Sequence, residues 1–243
     1  MELHIHIYDN NERVAAAFAE WLKDWFAKQA KNPVHIALSG GSTPKLLFQK
    51  LADAYVDSFD WDRVHFWWGD ERCVPPDHAE SNYRMTKEIM LDKLNLPEEN
   101  IHRVLGEAQD LEAERKRYAD EIQKWVPMDG DLPRFDLIML GMGDDGHTAS
   151  IFPDQMALLE DEELVAVASH PVSGQRRLTF TGTLLNQAAV VAFLVTGTKK
   201  AGKVAQIIGG RPGGRALPAY HVAPSDGVLH WYLDRPAADD LRR

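Results

Sequence analysis

The sequence predicts an α/β fold, built on a doubly wound, mostly parallel sheet flanked by helices. Strand-like apolar segments alternate with segments of helical periodicity from one end of the chain to the other. Glycine, hydroxyl or charged residues also stand directly after several of these apolar segments. That arrangement is typical of parallel sheets, which bind ligands at the carboxyl ends of their strands.

The first half of the chain supplies three strands and three helices. Alternation in residues 3–8 predicts a strand, and Asp9 and Asn10 then offer caps for an amphipathic helix. Its apolar stripe runs through six residues at helical spacing: Val14, Ala17, Phe18, Trp21, Leu22 and Trp25. Two further strands are expected at Val34–Leu38 and Val64–Trp68, with helices over 44–55 and, capped by Ser81, over 81–94.

The second half continues the alternation. A charged helix is predicted over 110–125, and the short apolar run 135–140 has the pattern of a buried parallel strand. Further strands are expected at 164–169, 177–181, 188–196 and 228–233, with a helix at 199–208. The layout is Rossmann-like. The glycine-rich stretch 209–214 lies too near the C-terminus to separate two domains, so residues 1–243 are expected to form one domain.

The composition is that of an ordinary soluble protein with an acidic balance. The 243 residues include 27 Lys and Arg against 37 Asp and Glu, a formal net charge of −10. Nucleic acids and anionic membranes are bound through clustered cationic charge, so neither is expected as a partner. The single cysteine, Cys73, suits a reducing compartment, and no segment reads as a secretory leader or membrane span. A cytoplasmic monomer or small homo-oligomer is therefore expected.

The segment S-G-G-S-T-P at 39–44 follows a predicted strand. Two glycines, two hydroxyls and a proline suited to the first helical turn leave N–H groups exposed at a helix N-terminus, with room for close approach. An ordinary capped turn is the alternative. The order of the residues favours a phosphate cradle formed by Gly40, Gly41, Ser42 and Thr43.

The segment W-G-D-E-R at 68–72 places two carboxylates and a guanidinium at the end of the next strand. Asp70, Glu71 and Arg72 could act as acid, base or anion clamp, although an isolated Asp-Glu-Arg is more often a solvated turn. Cys73 has no histidine near it in sequence and is interpreted as a small buried side chain.

The segment G-M-G-D-D-G-H-T-A-S at 141–150 carries the strongest catalytic candidate. His147, in a glycine-rich loop beside Asp144 and Asp145, is a natural general base whose tautomer a carboxylate can fix. The glycines also match G-x-G-x-x-G, but the motif follows an internal strand, which argues against a dinucleotide site. No second histidine follows at i+3 or i+4, so no metal site is expected.

Two further segments offer cations. Residues 197–203 reproduce most of a P-loop, but Val204 replaces the hydroxyl that would hold Mg²⁺, so a P-loop ATPase is not expected. Lys199 or Lys200, at the start of a helix, could still reach a phosphate, as could Arg177. No G-x-S-x-G elbow occurs, so there is no serine-esterase nucleophile.

In order and spacing, these segments together resemble the 6-phosphogluconolactonase family, which shares its fold with glucosamine-6-phosphate isomerase/deaminase. The resemblance covers nearly the whole chain and adds S-N-Y-R at 81–84, R-L-T at 177–179 and L-P-A-Y-H-V at 217–222 to the motifs above. It implies hydrolysis of 6-phospho-D-glucono-1,5-lactone, a small sugar-phosphate partner, in the oxidative pentose phosphate pathway. It implies no required metal or cofactor.

The resemblance also assigns roles to residues. His147 matches the catalytic histidine, with Asp145 and Arg72 as expected catalytic partners. The positions that match phosphate-binding groups are Gly40, Gly41, Ser42, Thr43, Arg177 and the lysine pair, of which we favour Lys199. Asp70, Glu71 and Gly143 are expected elsewhere in the pocket.

Two rival functions occur on related folds, an aldose-ketose isomerase/deaminase and a non-catalytic sensor. The isomerase/deaminase pattern has an acidic residue five positions after the shared histidine, where this chain has Phe152. A non-catalytic sugar-phosphate sensor would usually carry an attached DNA-binding region, for which this acidic chain has no room. Such sensors can also lack the catalytic histidine, which this chain keeps. Both observations favour the lactonase.

Overall fold

The computed structural model, which describes residues 2–94 and 96–242, confirms the α/β prediction. Seven strands form one parallel sheet in the spatial order β1, β12, β11, β8, β2, β3, β5. Their bounds are Glu2–Tyr8 (β1), Val34–Leu38 (β2), Val64–Trp68 (β3), Ile101–His102 (β5), Leu137–Leu140 (β8), Val190–Val195 (β11) and Val228–Asp234 (β12).

Helices cover both faces of this sheet, as a doubly wound fold requires. One apolar core lies under Asn11–Ala27 (α1), Ser42–Ala54 (α2) and Asn82–Ile89 (α3). The other lies under Leu111–Trp125 (α4), Gly182–Leu185 (α5), Ala201–Ile207 (α6) and Arg235–Ala238 (α7). The central strands are largely apolar on both sides because each face is buried against helices, and His35 and His65 are buried exceptions.

The predicted helix starts are confirmed by their caps. Asn10, Ser81 and Asp110 each use a side-chain oxygen to accept a hydrogen bond from a backbone N–H of the first turn of α1, α3 and α4, respectively. The helix ends are less well predicted. The segment 81–94 leaves the α-helical conformation after Ile89 and continues as a 3₁₀ turn, Leu91–Lys93.

Two of the predicted strands do not join the main sheet. Val165–Ser169 (β9) and Arg176–Phe180 (β10) form a small antiparallel sheet with Asp70–Arg72 (β4). Since β4 follows β3 after a single residue, Gly69, this small sheet stands at the carboxyl end of β3. A two-stranded hairpin, Met128–Asp129 (β6) with Leu132–Pro133 (β7), completes the strands of the described part of the chain.

Within those same residues, every helix is too short or too polar to cross a lipid bilayer.

Candidate active site

A cleft with a volume of about 210 Å³ lies at the carboxyl ends of the central strands. The loops after β2, β3, β8 and β11 form its walls, as expected for a doubly wound sheet. Its lining includes most of the polar groups singled out in the sequence: Ser39, Gly40, Gly41, Ser42, Thr43, Asp70, Arg72, Gly143, His147 and Arg177.

The N-terminus of α2 forms one wall. Gly41 precedes the helix with φ of +111°, a conformation that L side chains rarely adopt, and no side chain caps the helix there. The first N–H groups of a helix have no partner within it, so those of Ser42 and Thr43 can bind an anion. The Ser39 hydroxyl is buried and lacks a hydrogen-bond partner among the described residues.

Arg72 and Arg177 lie side by side, because they are directly paired across the β4–β10 ladder. Arg72 donates to the carbonyl of Glu80 at 2.6 Å and Arg177 to the side chain of Gln175 at 3.1 Å. The Nε atom of each is buried and finds no acceptor in the described residues. Burial, and then the charge of Arg72, lowers the pKa of Arg177. An anion in the cleft would relieve this repulsion and supply the missing acceptors.

Of the two candidate lysines, Lys200 lines the cleft and Lys199 does not. Lys199 is exposed to solvent, whereas Lys200 is half-buried and its Nζ lies 2.5 Å from Oδ1 of Asp144. The position of Lys200 in the cleft wall favours it over Lys199, and which of the two binds a phosphate stays a prediction. Both residues lie in a 3₁₀ turn, Thr198–Lys200, and the helix expected from residue 199 begins at Ala201.

His147 is held by Asp145 within one loop. The Nδ1 atom of the imidazole lies 2.6 Å from Oδ1 of Asp145, and the same oxygen accepts the backbone N–H of His147 at 3.1 Å. Partial burial raises the pKa of Asp145, but the hydrogen bonds and charge of His147 outweigh it and lower the pKa to about 2. The carboxylate is thus ionised and holds the proton of the neutral ring on Nδ1. Nε2 is left as the basic atom.

Gly143 makes room for this pair. A Cβ atom at position 143 would lie 2.2 Å from Nδ1 of His147 and 2.6 Å from Oδ1 of Asp145, far inside van der Waals contact. The backbone N–H of Gly143 also donates to the carbonyl of His147 at 2.8 Å, closing the loop. The glycine is therefore required by the position of the imidazole.

The two adjacent carboxylates at the end of β3 have separate roles. Asp70 lines the cleft and accepts a hydrogen bond from the Ser150 hydroxyl at 2.7 Å. Glu71 is not among the residues that line the cleft, which corrects the expectation that it is a pocket residue. Successive side chains of a strand point to opposite faces, so only one of the two can reach the cleft.

Two polar residues in the wall were not singled out as site candidates. Asn82 lies in the S-N-Y-R motif and lines the cleft, where its amide occupies the space that a side chain at Gly40 would need. Thr196, at the end of β11, lines the cleft and pairs with Thr43, hydroxyl to hydroxyl, at 2.8 Å. The signal for Thr196 was its place directly after a buried strand. No local sequence signal places Asn82 in the cleft, and only the tertiary fold does so.

The described residues contain no group of three or more His, Cys, Asp or Glu side chains arranged to hold a metal ion. The polar groups of the cleft are mainly hydrogen-bond donors: backbone N–H groups, guanidinium groups and an ammonium group. Such a set is suited to a small anion, and the His147–Asp145 pair adds a base to it.

Comparison with known proteins identifies the class to which this fold and site belong. Residues 9–231 match the family model of glucosamine-6-phosphate isomerases/6-phosphogluconolactonase, and the chain belongs to this family.

Within this family, the chain is similar to several individual 6-phosphogluconolactonases. The chain is 45% identical over 210 residues to the 6-phosphogluconolactonase of Haemophilus influenzae, covering 86% of this chain and 88% of that protein. It is 42% identical to that of Synechocystis over 85% of this chain and 84% of the relative. Among solved structures, that of devB protein superposes with a TM-score of 0.91 at 43% identity, covering 98% of each chain.

More distant structures share the fold. The 6-phosphogluconolactonase of Trypanosoma brucei has a TM-score of 0.86 at 27% identity, with 99% of each chain covered. A monomeric glucosamine-6-phosphate deaminase has a TM-score of 0.81 at 19% identity, covering 98% of this chain and 99% of that one. At 19% identity, the similarity to the deaminase concerns the fold alone.

Proposed function

We propose that the protein is a 6-phosphogluconolactonase, which hydrolyses 6-phospho-D-glucono-1,5-lactone to 6-phospho-D-gluconate in the oxidative pentose phosphate pathway, in the cytoplasm. The observation that carries the proposal is the 2.6 Å contact between Asp145 and Nδ1 of His147, where His147 lines the same cleft as an uncapped helix N-terminus and two adjacent arginines. A base and an anion-binding site in one cleft fit the hydrolysis of a phosphorylated ester.

The reaction would begin at Nε2 of His147. This atom takes a proton from a water molecule as the water attacks C1 of the lactone, and Asp145 stabilises the imidazolium that forms. The proton then passes to the ring oxygen as the bond between C1 and that oxygen breaks, which opens the ring to the acid. A lactone is activated enough to need no covalent intermediate. One positioned base of this kind contributes about 10²–10⁴-fold in rate.

The hydrogen-bond donors of the cleft would bind the phosphate and stabilise the oxyanion. The N–H groups of Ser42 and Thr43, with Arg177 and Lys200, hold the phosphate. Arg72 or loop N–H groups stabilise the oxyanion on C1, and the buried, unpaired Nε of Arg72 supports that role. Most of these groups carry positive charge or helix-dipole charge, so they attract a phosphate dianion despite the net charge of −10.

Phe152 argues against the isomerase/deaminase. Its ring is fully buried and packs against the imidazole of His147, with the ring centroids 4.6 Å apart. The acidic side chain that the deaminase pattern has at this position is replaced by an apolar ring. Lactone hydrolysis moves no proton between carbons and has no need of that carboxyl group.

The test is the release of acid on adding freshly prepared 6-phosphogluconolactone, followed by alkali uptake at constant pH. The wild-type protein is expected to accelerate alkali uptake, and His147→Ala to lose about 10²–10⁴-fold of the rate while unfolding at the wild-type temperature. Near-wild-type turnover by His147→Ala would remove the base from the mechanism. Ammonia released from glucosamine-6-phosphate, with no lactone hydrolysis, would overturn the proposed function.

A further inference from the structure

Strand β1 forms an edge of the main sheet and has a neighbour on one side only. It pairs in parallel with β12 over all seven of its residues. Among the described residues, no strand lies on its other side. The side chains of Leu3, Ile5 and Ile7 share one face of β1, and they are 45%, 42% and 37% exposed.

The same three residues also carry the unpaired backbone groups of this edge. The N–H of Glu2 donates to the carbonyl of Gly227, the residue directly before β12. In a parallel pair, alternate residues use both their N–H and C=O toward the neighbouring strand, so the even residues of β1 face β12. The N–H and C=O groups of Leu3, Ile5 and Ile7 therefore point out of the sheet.

Such an edge is a template for pairing with another strand, and proteins that must avoid pairing protect it. The usual protections are a lysine or proline in the strand, a bulge, or a very short strand. Between Glu2 and Tyr8 there is no lysine and no proline, and the register with β12 runs without a bulge. With seven residues, β1 equals β12 as the longest strand described.

The pattern of β1 is complementary to itself in the antiparallel direction. About a twofold axis at Ile5, Leu3 would face Ile7 of a second copy, Ile5 would face its own counterpart, and His4 would face His6. Apolar residues then meet apolar residues. All three outward backbone pairs become hydrogen-bonded pairs, and six Leu and Ile side chains form one continuous stripe.

We propose that β1 is a homodimer interface, in which two copies of this chain pair antiparallel at Ile5 and join their seven-stranded sheets into one. A second copy is favoured over an unrelated strand because the twofold pattern is satisfied by β1 itself. The cleft lies at the carboxyl ends of the central strands and supplies no residue to this interface. The proposal is therefore independent of the proposed function.

The register makes a sharp test. Directly opposed residues of a hydrogen-bonded antiparallel pair have Cα atoms about 5.5 Å apart, within the range that a disulfide spans. Ile5→Cys is therefore expected to form a disulfide-linked dimer under mild oxidation, seen on a non-reducing gel. Leu3→Cys alone is the matched control and should not, because its two copies would lie about 14 Å apart along the strands. When the Leu3→Cys and Ile7→Cys variants are mixed, they should crosslink to each other, because these two positions face each other in the proposed register.

A second variant tests the interface without a new bond. Ile5→Lys is expected to halve the mass measured by light scattering during gel filtration, because two lysines would meet at the twofold axis. Val172→Lys makes the same kind of change at a side chain that is 90% exposed in a loop, and it should leave the dimer intact. Unchanged lactone turnover and thermal unfolding in Ile5→Lys would show that only the assembly was lost.

Three results would overturn the proposal. In the first, the wild-type protein stays monomeric at 100 µM and the Ile5→Cys variant forms no crosslink. In the second, the dimer persists in Ile5→Lys. In the third, Leu3→Cys alone crosslinks as readily as Ile5→Cys. The last two outcomes would place the contact elsewhere or in another register.

Discussion

In the proposed mechanism, the chemistry of the cleft depends on the short contact between Asp145 and His147. Oδ1 of Asp145 accepts from both the backbone and the ring of His147, so the imidazole is fixed in position and tautomer. Asp144, the neighbouring residue, turns the other way and pairs with Lys200. The two adjacent aspartates thus have different partners: Asp145 contacts the imidazole of His147, and Asp144 contacts the ammonium group of Lys200.

This division predicts different effects for the two aspartates. Asp145→Asn is expected to lower kcat by about 10²–10⁴-fold with little change in KM, since an amide cannot stabilise the imidazolium. Asp144→Asn should leave kcat within a few-fold, because Asp144 does not hydrogen-bond the imidazole. Steady-state kinetics on both variants separates the roles, and equal losses of kcat would contradict it.

The absence of a side chain at Gly143 is a second residue-scale requirement. Gly143→Ala is expected to displace the imidazole and lower kcat/KM by at least about 10²-fold, because a misplaced catalytic group loses its alignment. Gly141→Ala is the matched control in the same loop, since a Cβ there meets nothing within 4 Å. Circular dichroism should show both variants folded. Similar activity in the two would mean that the loop adapts to the extra methyl group.

Glu71 shows how one element is anchored beneath the site. Its buried carboxylate accepts the backbone N–H groups of Arg72, Asn82 and Tyr83 and the hydroxyl of Ser81, and it thereby fixes the N-terminus of α3 against β4. Burial raises its pKa, while the three backbone hydrogen bonds oppose that shift. Asn82, which lines the cleft, depends on this anchor.

Removing the anchor should cost stability. Glu71→Ala leaves several buried donors without an acceptor and is expected to lower the free energy of unfolding by about 2–4 kcal/mol in urea denaturation. Glu88→Ala, on the same helix, removes only an exposed ion pair with Arg84 and should cost less than about 1 kcal/mol. If Glu71→Ala unfolds like the wild type, the carboxylate is not an anchor.

At the scale of the whole molecule, the sheet contains histidines that are held neutral. Burial, and then the charges of His65, His102 and Lys31, lowers the pKa of His35 to about 3. Burial, followed by His102, lowers that of His65 to about 4, although nearby Glu99 opposes the shift. The imidazoles of His65 and His102 are hydrogen-bonded at 2.8 Å.

These pKa values predict loss of stability in acid. In the unfolded chain the imidazoles bind protons near pH 6.5, and in the folded chain only near pH 3–4. The unfolded state therefore gains more protons, and each of these two histidines should lower the free energy of unfolding by about 2–3 kcal/mol as the pH drops from 6.5 to 4.

A variant isolates this effect from other titrations. His35→Gln removes one titrating group and keeps an acceptor for the indole N–H of Trp67, which lies 3.1 Å from Nδ1 of His35. Urea denaturation across this pH range should give a shallower slope for His35→Gln. Parallel slopes for His35→Gln and wild type would exclude His35 as a source.

The sequence by itself determined the alternation of strands and helices, the bounds of several of them, and most of the candidate catalytic and binding residues. Val34–Leu38 and Val64–Trp68 are strands at the predicted residues, because burial on both faces demands a largely apolar run, here interrupted only by His35 and His65. Helix starts at Asn10, Ser81 and Asp110 were predictable, because capping depends on neighbours within three residues. His147 and Asp145 are two residues apart, and their contact is local.

Only the tertiary structure decided which of the remaining candidates meet. The antiparallel pairing of β10 with β4 brings Arg177 beside Arg72, residues more than a hundred positions apart, and no local pattern encodes that register. The direction of a side chain from its strand or turn separated Asp70 from Glu71 and Lys200 from Lys199. An acidic chain thus acquires a cationic cleft, because the fold collects a few positive groups at one edge of the sheet. Electrostatic attraction at short range depends on those groups and far less on the sum of all charges.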